Sequence, residues 1–195
     1  ARTLWERLAK LAPREPMPYN LLAQLATSEP GSEALERAAG YFEKSLDLNP
    51  RQYEIRFYTA QNLLWRGHLA DAIGRLRALL GEDPDRLDVR LELARALFAD
   101  QHYEESLDHW ARIRETAPDN LEFLLAEAQA LLYVGDLELA HERASQALAL
   151  DEGNLKALTV LADIAEYSRR PEAMVAELRR LAELSDDPVF RGAVL

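Results

Sequence analysis

The sequence predicts an all-α protein, a solenoid of antiparallel helix pairs. Three observations predict it. Pro16, Pro50, Pro84 and Pro118 stand 34 residues apart. Proline lacks the N–H that would continue a helix, and its ring clashes with the preceding turn, so each one marks a stop. Take Tyr19, Tyr53, Leu87, Leu121 and Leu155 as first positions of successive repeats. The eighth position is then Ala26, Ala60, Ala94, Ala128 and Ala162, alanine every time. Within each repeat, two runs of apolar residues recur at helical spacing.

In chain order, the opening stretch "RTLWERLAKLAPREP" places Leu4, Trp5, Leu8 and Leu11 on one helix and reads as the second half of a repeat, residues 1–16. Full repeats follow at 19–52, 53–86, 87–120, 121–154 and 155–188, and 189–195 starts a further one. In the second repeat, "YEIRFYTAQNLLW" carries Ile55, Ala60, Leu63 and Leu64, and its partner helix carries Leu69, Ala72, Ile73, Leu76 and Leu80. Gly67 and Gly135 break the chain between helices at matching places, and Pro30 ends the first helix of repeat one early. Asp119 with Glu122 has the spacing of a capping box. Position 20 holds Ala38, Ala72, Ser106, Ala140 and Met174, and position 24 holds Phe42, Leu76, Trp110, Ala144 and Leu178. Small residues at positions eight and 20 let the two helices of a pair approach closely.

Composition narrows the function. A hydrophobic fraction of 48% with 29% charged residues belongs to a folded chain. The net charge of −11 argues against nucleic acid and against anionic lipid, both of which call for a basic face. Without cysteine there are no disulfides, thiolate metal sites or cysteine nucleophiles. No apolar run approaches the length of a membrane span, so no direct membrane insertion is expected. The start "ARTLWERLAKL" does not begin with Met and has no signal-peptide core. The compartment is open between bacterial periplasm and cytoplasm, with the absence of cysteine leaning towards the periplasm.

Chemistry finds no foothold. His68 and His102 share repeat position 16, one repeat apart, too far to hold one ion; with His109 and His141 they read as surface histidines. The carboxylates, such as Glu104–Glu105 and Asp186–Asp187, are scattered along helix faces and read as solvated. No metalloprotease, phosphate-loop or serine-hydrolase motif occurs. No catalytic residue, cofactor or metal is expected, and the chain does not read as an enzyme.

Period, alanine column and terminal proline together resemble the tetratricopeptide repeat, and the resemblance covers essentially the whole chain. It implies a right-handed superhelical solenoid of about five and a half repeats, read as a single domain. Gln101 and Arg169 depart from it, standing where the family has glycine between helices. The family caps its ends with polar helices, whereas Leu4, Trp5, Leu8, Leu11, Val189, Phe190, Val194 and Leu195 are apolar. That implies either a fragment of a longer bacterial array or self-association through uncapped ends.

In the family, first helices line a concave groove that binds a protein or peptide partner. Carried over position by position, the candidate groove residues are Phe57, Gln61, Trp65, Arg95, Phe98, Gln129, Tyr133 and Tyr167. Trp65, Phe98 and Tyr133 would form one strip, while Leu64 and Leu132 read as packing between repeats. The groove positions that clamp chaperone tails in some relatives lack the lysine and asparagine needed, so that mode is not expected. The implied function is a protein–protein interaction scaffold. The alternative is a spacer or recruiting arm of a larger bacterial envelope protein, such as an exopolysaccharide export or modification system.

Overall fold

The computed structural model describes residues 2–184, and every described element is an α-helix. The helices are α1 (Arg2–Leu11), α2 (Met17–Thr27), α3 (Ser32–Leu48), α4 (Tyr53–Trp65), α5 (Leu69–Glu82), α6 (Leu87–Ala99), α7 (Tyr103–Thr116), α8 (Leu121–Val134), α9 (Leu137–Leu150), α10 (Leu155–Tyr167) and α11 (Pro171–Leu184). α4, α6, α8 and α10 start 34 residues apart, at the first positions read from the sequence. The chain divides into two compact units between Asp100 and Gln101. Unit 1 carries α1–α6 and unit 2 carries α7–α11.

Each unit buries the small-residue columns. Ala26, Ala60, Ala94 and Ala128 are fully buried, as are Ala38, Ala72, Ser106 and Ala140. In unit 1, α2 packs on α3 and α4 on α5, with α6 laid against α5. Phe42, Leu76, Leu79, Leu93 and Leu97 fill the spaces between them. In unit 2, α8 packs on α9 and α10 on α11 around Leu124, Ala128, Ala144, Leu158 and Leu161. An added methylene at such a contact forces the helices apart, which is why alanine recurs there.

The turns obey one backbone rule whatever residue fills them. At the end of α4 the His68 N–H donates to Leu63 O (2.9 Å) and the Gly67 N–H to Leu64 O (3.0 Å). The end of α8 repeats this through Asp136 and Gly135, and the end of α10 through Arg170 and Arg169. This paired closure places its first residue in the left-handed region. Gly67 and Gly135 sit there at φ 80° and 87°. Gln101 and Arg169, the two departures from the family pattern, adopt the same conformation at φ 63° and 54° and carry the strain of a side chain.

Two local expectations resolve differently. α2 ends at Thr27, as Pro30 required, whereas the matching helix α4 runs its full length to Trp65. The capping residue of α8 is Asn120, not Asp119: its side chain accepts the Phe123 N–H at 3.1 Å. A cap oxygen reaches the amide three residues on, and Asp119 stands one residue too early. At the start of the chain, Leu4 and Leu11 are exposed, Leu8 is half-buried, and Trp5 is half-buried beside Ala9, Tyr19 and Leu22. Val189, Phe190, Val194, Leu195, Asp186 and Asp187 lie outside the described residues. Among the described residues no helix is long and apolar enough to cross a membrane.

Candidate functional site

In unit 1 a cleft of about 290 Å³ opens between α2 and α4 over α3. Its lining is Gln24 and Thr27 from α2, Phe42 from α3, and Tyr58, Gln61 and Trp65 from α4. Phe42 forms the floor, fully buried, with the Tyr58 ring tilted against it at 6.4 Å. Trp65 stands at the rim and is 55% exposed. Gln61 donates to the Glu92 carboxylate across to α6 at 3.3 Å, which fixes its side chain along the cleft. The cleft therefore offers aromatic walls with amide and hydroxyl groups beside them.

Of the expected groove residues in unit 1, Gln61 and Trp65 line this cleft. Phe98 is half-buried and Arg95 exposed on α6. Phe57 is a correction: it is 5% exposed and packs in the core with Ile73, Leu76 and Leu93. Position five of α4 points between helices rather than out of the groove. Leu64 is half-buried against the same core, as its packing role required. Tyr58 and Gln24 were missed. They share repeat position six, one helical turn before Gln61 and Thr27, so the same helix spacing that selected position nine would have found them.

Unit 2 presents a different face on α8 and α10, which pack against each other. Gln129 is exposed on α8, and Tyr133 and Tyr167, in the last turns of the two helices, are 57% and 64% exposed. Tyr103, from the start of α7, stacks on the Tyr133 ring at 4.8 Å with the planes 10° apart. Leu132 is buried, in agreement with its packing role. Asp163 and Glu166 lie beside Tyr167 on α10. Burial pushes the Asp163 carboxyl above the ordinary carboxylate range, and the neighbouring Glu166 charge adds to the push.

The charged residues are not uniformly solvated. In unit 2, Glu127 is 4% exposed and lies between Arg114 Nε (2.9 Å) and Arg143 Nε (3.3 Å). One carboxylate thus joins α7, α8 and α9. The other repeats hold Leu25, Thr59, Leu93 and Leu161 at this seventh position, so a carboxylate in an inward column was the signal that sequence reading passed over. In unit 1 the ion pairs lie outside the core. Arg56 grips Glu82 through both amines (2.6 and 2.5 Å), Arg66 reaches Glu36 (2.7 Å), and Arg86 joins Glu54 (2.8 Å) to Asp88 (2.7 Å). Arg56 and Arg86 also lie over the Tyr53 ring, 5.6 and 4.8 Å from its centre. The hydrogen bond from Arg86 holds the Asp88 carboxyl below its usual range, and that from Arg56 does the same for Glu82. Burial pushes the Tyr53 hydroxyl up, against the pull of Arg86.

His68, His102 and His141 are exposed and His109 is half-buried. Among the described residues no group of three or more His, Asp or Glu side chains could hold a metal ion.

Comparison with known proteins agrees with this architecture. A family model described as Tetratricopeptide repeat matches residues 63–131. The TPR repeat-containing protein YpiA of Bacillus subtilis (strain 168) is 29% identical over 176 residues, which are 88% of this chain and 40% of that protein. The chain therefore spans well under half the length of this curated relative. Among solved structures, YrrB, described as a TPR protein with an unusual peptide-binding site, aligns over 100% of both chains with a TM-score of 0.80 at 17% identity. MamA of Desulfovibrio magneticus RS-1 aligns over 88% of this chain and 97% of its own with a TM-score of 0.81 at 16% identity. At such identities the structural likeness speaks to the fold. With its 34-residue helix pairs and buried alanine columns, the chain has the tetratricopeptide-repeat fold, and residues 63–131 match that family's model.

Proposed function

We propose that this protein is an interaction scaffold whose first-helix faces hold an extended segment or a helix of a partner protein, with the cleft between α2 and α4 taking an apolar side chain. The observation that carries this is Trp65. A large aromatic at the rim of a cleft lined by Phe42 and Tyr58 stays more than half exposed, so most of its surface contributes nothing to folding. Exposed aromatics beside pockets are typical anchors of binding surfaces. Gln24, Thr27 and Gln61 supply the polar groups that would meet a partner's backbone, although Gln61 would have to share its amide with Glu92. YrrB, by its description, has a peptide-binding site, which supports a peptide ligand without identifying one. The reading as an arm of an exopolysaccharide system draws no support from these relatives.

Selection of peptides of about twelve residues from a random displayed library tests the proposal. Selected peptides should bind the whole protein and shift the NMR signals of Gln24, Gln61 and Trp65. Peptides that shift none of these residues would refute the assignment of the cleft.

A further inference from the structure

The face of unit 2 differs in charge from the cleft of unit 1. At the C-terminal end of α10, Asp163, Glu166 and Tyr167 follow one another at helical spacing, and all three are exposed. Tyr133 lies in the last turn of the neighbouring helix α8, at the same repeat position as Tyr167. On α4 of unit 1 the corresponding positions carry Gln61, Leu64 and Trp65, which are uncharged, and on α6 position nine is the cationic Arg95.

Neither carboxylate has a cationic partner among the described residues, in contrast to Glu36, Glu54, Glu82 and Asp88 of unit 1. Lys156 stands on the same face of α10 two helical turns away, and Arg169 occupies the turn beyond Tyr167. Neither pairs with Asp163 or Glu166. Two carboxylates this close on one helix repel each other, and a cation laid between them would relieve that repulsion. Tyrosine faces attract the same group.

Building on the reading of these faces as protein-binding, we propose that the face formed by Tyr133, Asp163, Glu166 and Tyr167 receives an arginine or lysine side chain of the partner segment. Such a contact gives unit 2 a preference for basic sequences that the uncharged cleft of unit 1 does not share. Partial desolvation of this exposed side chain by its neighbours, and the Glu166 charge, both press Asp163 towards its protonated form, the condition that a bound cation would relieve.

The test uses the whole protein and fluorescent peptides of about ten residues that differ only in carrying arginine, glutamine or glutamate at alternate positions. The arginine peptide should bind about ten-fold tighter than the glutamate peptide, with the gap narrowing as salt rises. Because the whole chain is acidic, two variants of equal charge are compared. Asp163→Asn with Glu166→Gln should lower arginine-peptide affinity by about five-fold or more. Asp108→Asn with Glu115→Gln, exposed carboxylates on α7, should change it less than about two-fold. Equal losses in the two variants would mean general attraction to an acidic protein and would overturn the proposal, as would equal affinity for all three peptides. Trp65→Ala reports separately on unit 1. Weaker binding of all three peptides with an unchanged arginine-to-glutamate ratio would assign that loss to the cleft and leave the role of this face intact.

Discussion

Unit 1 and unit 2 join their helices by different electrostatic means. In unit 1 the connections lie on the surface: Arg56–Glu82 and Arg66–Glu36 tie consecutive helices, the Glu54–Arg86–Asp88 chain ties α4 to α6, and their carboxylates are about half exposed or more. In unit 2 a single buried carboxylate, Glu127, holds two arginines on flanking helices. The caps follow the same division. Helices α8 and α10 of unit 2 are capped locally, the Asn120 side chain accepting from the Phe123 N–H and the Asn154 side chain from the Ala157 N–H. In unit 1 the residues before α4 and α6 make no such cap. Gln52 instead donates to Ser45 and accepts from Asn20 on α2, while Ser45 donates to Asn20. One repeat architecture thus tolerates two ways of tying neighbours, because the alanine columns already set the helix spacing in both.

The difference is sharpest where a single partner is removed. Glu127→Ala strips the buried Arg143 of its buried partner and leaves it only the exposed Glu142 carboxylate (2.6 Å); loss of one member of a buried ion pair costs about 3–5 kcal/mol. Urea melts should show that loss. A cost near that of a surface pair would mean that unit 2 is not built around this contact. Next in size is a change that ignores electrostatics. Ala60→Leu should overpack α4 against α5 and cost about 1–3 kcal/mol, and Ala128→Leu should do the same to α8 and α9. A negligible cost at both would place the helix contacts elsewhere.

Smaller again, Arg169→Gly should stabilise the turn after α10 by about 1 kcal/mol or less. The left-handed conformation costs a side chain about 1–2 kcal/mol, and glycine's extra freedom in the unfolded chain offsets part of the gain. A lower melting point in the glycine variant would contradict the strain. The smallest effect belongs to the surface ladder. Arg86→Ala should cost about 1 kcal/mol at most in dilute buffer and less at high salt, since exposed pairs are screened. The depressed carboxyls of Asp88 and Glu82 add stability that is complete above their unfolded values and lost as pH falls through their folded ones. Arg86→Ala should therefore flatten the acid limb of the stability profile, and an unchanged limb would show that Arg86 does not hold Asp88.

The sequence showed the repeat plainly because its requirement is local and recurs. Every close approach of two helices demands a small residue, and each copy strengthens the column. The site was less legible. Trp65, Gln129, Tyr133 and Tyr167 came out exposed and Gln61 half-buried in the cleft, since positions nine and 13 lie on the open side of the first helix. Phe57 did not, because position five turns inward between α4 and its neighbours, and a repeat position alone does not state depth. Glu127 escaped for the opposite reason. It breaks its column once, and its partners Arg114 and Arg143 lie on other helices at spacings that no periodic pattern links.

The central claim is that Trp65 serves binding and not folding, and a paired measurement on Trp65→Ala and Phe57→Ala tests it most directly. Each variant is melted in denaturant and titrated with a peptide selected on the parent protein. Phe57→Ala should lose about 3–5 kcal/mol of stability, as truncation of a core aromatic does. Trp65→Ala should melt within about 1 kcal/mol of the parent yet bind the peptide at least about five-fold more weakly. A stability loss at Trp65 as large as that at Phe57, with peptide affinity unchanged, would contradict the account.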